Sequence, residues 1–188
     1  MADEALYELL RERLNPDRYT HSLNVADSAK ALALRYGADA DKAYTAGLLH
    51  DVMKNAPEEE QLLLFRAAGV TLTPLEAANK TLWHSMGAPC FLRLKLGITD
   101  DDMLNAVRYH TTGRAGMSTL EKIIFVADYI SAERTYNGVD VMRELADRSL
   151  EDAMLYALQF TLTKLSSQRR CIHPDCLFCY NDILMSKQ

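Results

Sequence analysis

Residues 43–52, AYTAGLLHDV, complete a run that opens at Asp39, and their reading decides the fold. Asp39 is a short acceptor side chain suited to an N-cap, and Ala43, Ala46, Gly47 and His50 then fall on one side at helical spacing. Small residues on that side let a second helix approach closely, just where the stretch ends in an adjacent His-Asp pair. An imidazole nitrogen of His50 can bind one metal ion while the two-oxygen carboxylate of Asp51 reaches a second. His21, His84, His110 and Asp128 are further ligand candidates, so four of the five histidines belong to one set.

Working outward, the chain is punctuated as helix after helix. Asn15-Pro16 reads as an N-cap and a first-turn proline, and Gly37 closes that helix. His21, Val25, Ala29 and Leu32 share one face of it, which turns His21 inward with the apolar stripe. Thr73-Pro74-Leu75-Glu76 and Ser118-Thr119-Leu120-Glu121 are capping boxes. Gly69 and Gly97 read as helix stops, and Asp100 or Thr99 starts the segment DDMLNAVRYH that ends in His110. Pro57 followed by Glu58 to Glu60 marks another start, with acids facing the positive end of the helix dipole. Residues 149–167, SLEDAMLYALQFTLTKLSS, keep apolar residues at helical spacing for about five turns. No run alternates convincingly as a strand. The expected fold is an all-α helical bundle, one domain over residues 1–188.

The net charge of −5 and pI near 5.5 argue against nucleic-acid or anionic-membrane binding, which needs a basic face. There is no apolar run of transmembrane length, and the start MADEALYELL lacks the features of a signal peptide, so a cytoplasmic location is expected. Free thiols are then expected of Cys90, Cys171, Cys176 and Cys179. The last three cluster with His173 but lack the paired spacing of a zinc knuckle. An amphipathic helix can pair across a two-fold axis, so a homodimer is compatible with the sequence.

An isolated histidine on an apolar helix face is usually a hydrogen-bonded core residue. Here the combination points elsewhere. His21, His50-Asp51 and Asp128 form the ordered pattern H…HD…D on three helices that a bundle can bring together. His84 and His110 fall between the pair and the last aspartate, where a second ion would need its own ligands. Mixed imidazole and carboxylate donors suit iron, manganese, cobalt or zinc.

These residues lie in segments AGLLHDVMK, LWHSMGA, RYHTTGRAGMSTLEKIIFVADYI and IHP, through which nearly the whole chain resembles the HD-domain metal-dependent phosphohydrolases. More narrowly it resembles the YqeK family of symmetrical bis(5′-nucleosyl)-tetraphosphatases. The resemblance implies hydrolysis of diadenosine tetraphosphate to two ADP with two divalent metal ions, most simply a di-iron centre. It implies His21, His50, Asp51, His84, His110 and Asp128 as metal ligands. Where relatives usually read ADYIEP, this chain has Ser131-Ala132 in place of Glu-Pro, a change beside the retained Asp128.

A polyphosphate bridge repels hydroxide, so such a site needs cations on its oxygens and a nucleophile available near neutral pH; two metal ions supply both. Asp51 and Lys54 are the expected catalytic pair, with the Lys54 ammonium one helical turn from Asp51 and near the phosphate. Thr111-Thr112-Gly113-Arg114 directly follows His110, and its hydroxyls and guanidinium suit phosphate oxygens. Arg134 is a further expected phosphate clamp, and Ile172-His173-Pro174 an expected contact of the ADP moiety. Thr81 and Trp83 flank the His84 segment on the substrate side, where Trp83 can stack on adenine if core packing does not claim it. Two competing functions share these features: another HD phosphohydrolase of nucleotides, and a non-catalytic nucleotide-sensing module. Unused ligands would be a costly burial of polar groups, which weighs against the sensor.

Overall fold

The computed structural model describes residues 2–187, and its helices start where short acceptor side chains allow them to. Asn15 accepts from the Arg18 amide at the head of α2, and Asp39 from the amides of Asp41 and Lys42 at the head of α3. Thr73 with Glu76, and Ser118 with Glu121, form complete capping boxes. Asp100, and not Thr99, caps α7.

The described residues form eleven α-helices: α1 (Ala2–Arg13), α2 (Pro16–Tyr36), α3 (Ala40–Leu49), α4 (Glu58–Ala67), α5 (Pro74–Ala78), α6 (Trp83–Leu96), α7 (Asp101–Tyr109), α8 (Thr119–Ile130), α9 (Val139–Arg148), α10 (Leu150–Ser167) and α11 (Pro174–Ser186). A short 3-10 turn at Lys80–Leu82 leads into α6. The result is an all-α bundle. Helix α2 packs on α3 and α8; α7 packs on α6, α8 and α3. Among the described residues, no helix is long and apolar enough to cross a membrane.

The small-residue side of α3 does what its composition suggests. A Cβ built on Gly47 would lie 2.9 Å from the Ala26 Cα and 3.1 Å from the Val25 carbonyl oxygen, so α2 and α3 meet backbone to backbone. His21, Val25, Ala29 and Leu32 are all buried on the facing stripe of α2. Aliphatic side chains from α2, α3, α6, α7, α8 and α10 fill the core. Cys176 and Cys179 join it from α11, where burial pushes their thiols up to about 12 and about 11.

Two helix ends differ from the sequence reading. Helix α3 stops at Leu49 instead of running through Val52; His50 occupies its C-cap and Asp51 the following turn. The same happens at α7, which stops at Tyr109 with His110 as C-cap. Both histidines therefore stand where helix carbonyls lack a partner further along the helix.

Candidate metal centre

Five helices deliver the six expected ligands to one place. His21 comes from α2, His50 and Asp51 from the end of α3, His84 from α6, His110 from the end of α7, and Asp128 from α8. Their donor atoms form three triads, His21-His50-Asp51, His50-His110-Asp128 and Asp51-His84-His110, each with its donor atoms within 4.8 Å of one another. Asp51 belongs to two of the three. Its Oδ1 lies 3.3 Å from His84 Nε2 and 3.7 Å from His110 Nε2, while its Oδ2 lies 3.7 Å from His50 Nε2.

The helix ends fix the imidazoles. His50 Nδ1 donates to the Gly47 carbonyl at 2.6 Å, and His110 Nδ1 donates to the Val107 carbonyl at 2.7 Å. Each uses the carbonyl three residues back, which the ending helix leaves free, and each thereby turns Nε2 into the cluster. His21 lies inside α2, where the helix occupies its own carbonyls, so its Nδ1 takes an outside acceptor, the carboxylate of Glu133. Glu133 is held in turn by the Asn24 amide and the Ser131 hydroxyl, each at 2.7 Å. The sequence reading missed Glu133.

Burial lowers the basicity of the inner histidines, to about 3 for His84 and about 4 for His110, and it lowers His50 as well. They are neutral at pH 7, the form that ligates metal. Burial pulls His21 the same way, but Asp128 and Glu133 outweigh it and its pKa is raised. For Asp51, burial favours the neutral acid, yet His50 and Lys54 hold the carboxyl well below the usual range.

Whether these residues fit a metal can be tested on their unmet valences. His21 Nε2, His50 Nε2 and Asp51 Oδ1 are buried and lack a hydrogen-bond partner. An unsatisfied buried polar atom costs about 1–3 kcal/mol, and here three of them belong to one cluster of residues. His21 Nε2 is 3.1 Å from Asp128 Oδ1, but with Nδ1–H given to Glu133 both atoms are acceptors, and a proton or a cation must lie between them. The donors suit a divalent cation.

Three side-chain cations line the cluster. Lys54 Nζ lies 3.0 Å from His84 Nε2 and 3.7 Å from Asp51 Oδ1. Arg134 donates to the Asp128 carbonyl at 2.9 Å and to Asp128 Oδ1 at 2.5 Å. Arg18 donates to Asp51 Oδ2 at 2.9 Å, and it too was missed. Its position three residues before His21 puts it on the same face of α2, a spacing that was there to be read.

The expected substrate contacts divide. Thr81, Thr111, Thr112 and His173 line one cleft of about 180 Å³ together with Thr161 and Arg170. Ile172 adjoins His173 and Pro174 opens α11 behind it. Trp83 is claimed by the core: it is 5% exposed, donates Nε1–H to the Glu76 carbonyl and meets Phe65 edge-on, so it has no free face for a base. Arg114 also departs from expectation. Its guanidinium is bound in two-pronged fashion to Glu121, at 2.6 and 2.8 Å, which commits it to the N-terminus of α8. Gly113 has φ +65, and a Cβ there would strike Cys179 Sγ at 2.6 Å, so it serves the packing of α11. The Thr112 hydroxyl donates to the Gly113 carbonyl within the same turn. His173 caps α11 and lies 3.4 Å from Glu76, so it is a held side chain and not an exposed one.

Comparisons with known proteins identify the family. Residues 18–133 match the HD domain model. The chain is 37% identical to a protein of Bacillus subtilis named bis(5′-nucleosyl)-tetraphosphatase, symmetrical, over 95% of both chains. It is 34% identical to a protein of that name in Staphylococcus aureus, over 95% of this chain and 94% of the other. A crystal structure from Clostridium acetobutylicum, described as a predicted HD superfamily hydrolase involved in NAD metabolism, superposes with a TM-score of 0.94 at 36% identity, covering 98% of this chain and 97% of that one. The chain belongs to the HD-domain family and, within it, to the symmetrical bis(5′-nucleosyl)-tetraphosphatases.

Proposed function

We propose that this protein hydrolyses diadenosine tetraphosphate and similar dinucleoside polyphosphates to two nucleoside diphosphates, at a centre holding two divalent metal ions. The observation that carries the reading is the set of three buried, unpartnered donor atoms inside a six-residue cluster, in a chain that shares 37% identity with a symmetrical tetraphosphatase. His21, His50, His84, His110, Asp51 and Asp128 are the proposed ligands. The two oxygens of Asp51, Oδ2 towards His50 and Oδ1 towards His84 and His110, support a bridging role for it. Iron is the metal the family resemblance favours, with manganese, cobalt and zinc suited to the same donors. When bound, such ions neutralise phosphate charge and lower the pKa of water from about 15.7 towards about 7.

The chain's own groups then do the positioning. Lys54, Arg18 and Arg134 present cations at the rim of the cluster, where they can hold non-bridging phosphate oxygens. One water adds at a phosphorus next to the central bridging oxygen, the bond to that oxygen breaks, and the leaving ADP departs with the electron pair. Thr81, Thr111, Thr112 and His173 border the cleft proposed for the nucleoside of the first half, with Ile172 and Pro174 beside His173 in the chain.

The test is the product. Diadenosine tetraphosphate should give ADP alone, and in ¹⁸O-water half of that ADP should carry one label, because one water serves two products. AMP and ATP as early products would reject the cut, and unlabelled ADP would reject attack by water. Elemental analysis of the active protein should find two metal ions per chain.

A further inference from the structure

The Thr-lined cleft of about 180 Å³ is small against the ~300–1,000 Å³ of ordinary small-molecule sites, so it can take one nucleoside of a two-nucleoside substrate but not both. A second cleft, of about 330 Å³, opens where the cluster ends at Asp128. Asp128, Arg134, Tyr136, Phe160 and Lys164 line it, with Tyr129. The two clefts are neighbours: Tyr129 of the larger one shares a 3.1 Å hydrogen bond with Thr161 of the smaller.

The larger cleft has an aromatic wall with cations beside it. Phe160 projects from α10 with 52% of its surface exposed, although it is a large apolar side chain. Its ring stacks on Tyr136 with centroids 6.5 Å apart and 29° between planes, and Tyr136 is itself anchored by donating to the Tyr129 carbonyl at 3.0 Å. Lys164 Nζ stands 5.9 Å from the Phe160 centroid. Arg134 holds Asp128 at the inner end. An exposed ring on a fixed support, with one cation at each end and a candidate ligand carboxylate at its floor, matches a planar base followed by phosphates running inward.

We propose that this cleft between α8 and α10 binds the second nucleoside diphosphate half of the substrate, the leaving group, with its base stacked on Phe160 and its phosphates met by Arg134 and Lys164. The proposal rests on the hydrolase reading above. Breaking the central anhydride of a symmetrical substrate requires a place for an equal half on each side of the cut, and each cleft then serves one half.

Adenosine tetraphosphate carries the same four phosphates and lacks the second nucleoside, so it isolates the contribution of this cleft. With metal-loaded protein, kcat/KM is measured on both substrates. The wild type should prefer diadenosine tetraphosphate. In Phe160→Ala that preference should fall about ten- to a hundredfold, the worth of one base–aromatic stack, and in Phe160→Trp, which keeps a ring, it should persist. Phe160 is half exposed, so its removal leaves the core intact. An unchanged preference in Phe160→Ala, or a wild type with no preference, overturns the proposal while leaving the hydrolase reading standing. A wild type that does not cut diadenosine tetraphosphate overturns both.

Discussion

Gly47→Ala probes how the packing of two helices sets the spacing of the proposed metal ligands. The added Cβ would meet the Ala26 Cα at 2.9 Å, the Ala26 nitrogen at 3.1 Å and the Val25 oxygen at 3.1 Å, all backbone atoms that cannot rotate away. Comfortable contacts between carbon atoms begin at about 3.5 Å, so α2 and α3 must part by roughly half an ångström or more. Alanine gains about 1 kcal/mol of helix propensity over glycine. Overpacking costs about 1–3 kcal/mol, and a backbone obstacle belongs at the upper end. The expected net loss approaches 2 kcal/mol, or about 4–8 °C in melting temperature for a chain of this size. Metal affinity should suffer further. His21 lies one turn before the contact on α2 and His50 one turn after Gly47, while ligand distances tolerate only about 0.2 Å.

Gly87→Ala is the control, because its Cβ would find only side-chain atoms of Gln61, Phe65 and Met53 at 3.7 to 3.8 Å. Inside α6 it should stabilise by up to about 1 kcal/mol. Thermal melts and metal titrations of both variants decide the matter. A Gly47→Ala protein with wild-type melting and wild-type metal affinity would refute the argument, as would equal damage from Gly87→Ala.

Removing the carboxylate that orients His21, in Glu133→Ala, should weaken metal binding about ten- to a hundredfold, and Glu133→Gln less, since an amide oxygen still accepts from Nδ1–H; calorimetric titration showing no change would return Glu133 to a surface role. Lys54→Ala and Arg18→Ala should each keep their metal and lose about ten- to a hundredfold in kcat/KM. Arg114→Ala should instead lower the melting temperature, because it strands buried Glu121, and a purely kinetic phenotype would contradict the pairing seen here. His84 and His110 have folded pKa values of about 3 and about 4, below the unfolded 6.5, so the unfolded chain takes up protons first. Metal-free protein should therefore be most stable above pH 6.5 and lose stability progressively as pH falls towards 4 and then 3. His21 adds no slope there, since a raised pKa contributes its stability fully below 6.5; urea midpoints independent of pH from 6.5 to 4 would refute the assignment.

The helices were legible because their caps are local: Asn15, Asp39, Thr73, Asp100 and Ser118 each act within three residues of themselves. The six clustered side chains were legible for a similar reason, since few residue types ligate metals and their order along the chain survives folding. What the sequence reading mislaid are choices between partners. Arg114 had two anionic candidates, a phosphate and Glu121, and the carboxylate seven residues away takes it. Trp83 goes to the core because Glu76 offers its indole a carbonyl there. Glu133 and His21 are 112 residues apart, and only the meeting of α2 with the end of α8 pairs them. The early stop of α3 was hidden because His50 and Asp51 continue a helical pattern in residue type while leaving it in geometry.

That early stop also suits the cluster to cations. The C-terminal ends of α3 and α7 both terminate at a proposed ligand histidine, and helix C-termini carry partial negative charge. Three carboxylates, Asp51, Asp128 and Glu133, add to it, and three side-chain cations, Arg18, Lys54 and Arg134, now balance them. Divalent ions taken up by the same carboxylates would compete with those side chains and release them towards the rim. A polyanionic substrate needs them there. If ions bound at the cluster displaced these side chains, metal would bind before substrate. A non-hydrolysable dinucleoside tetraphosphate should bind metal-loaded protein and fail to bind metal-free protein, in which all three cations are engaged. Equal affinity for the two forms, measured by calorimetry, would show that Arg18, Lys54 and Arg134 do not wait on the metal.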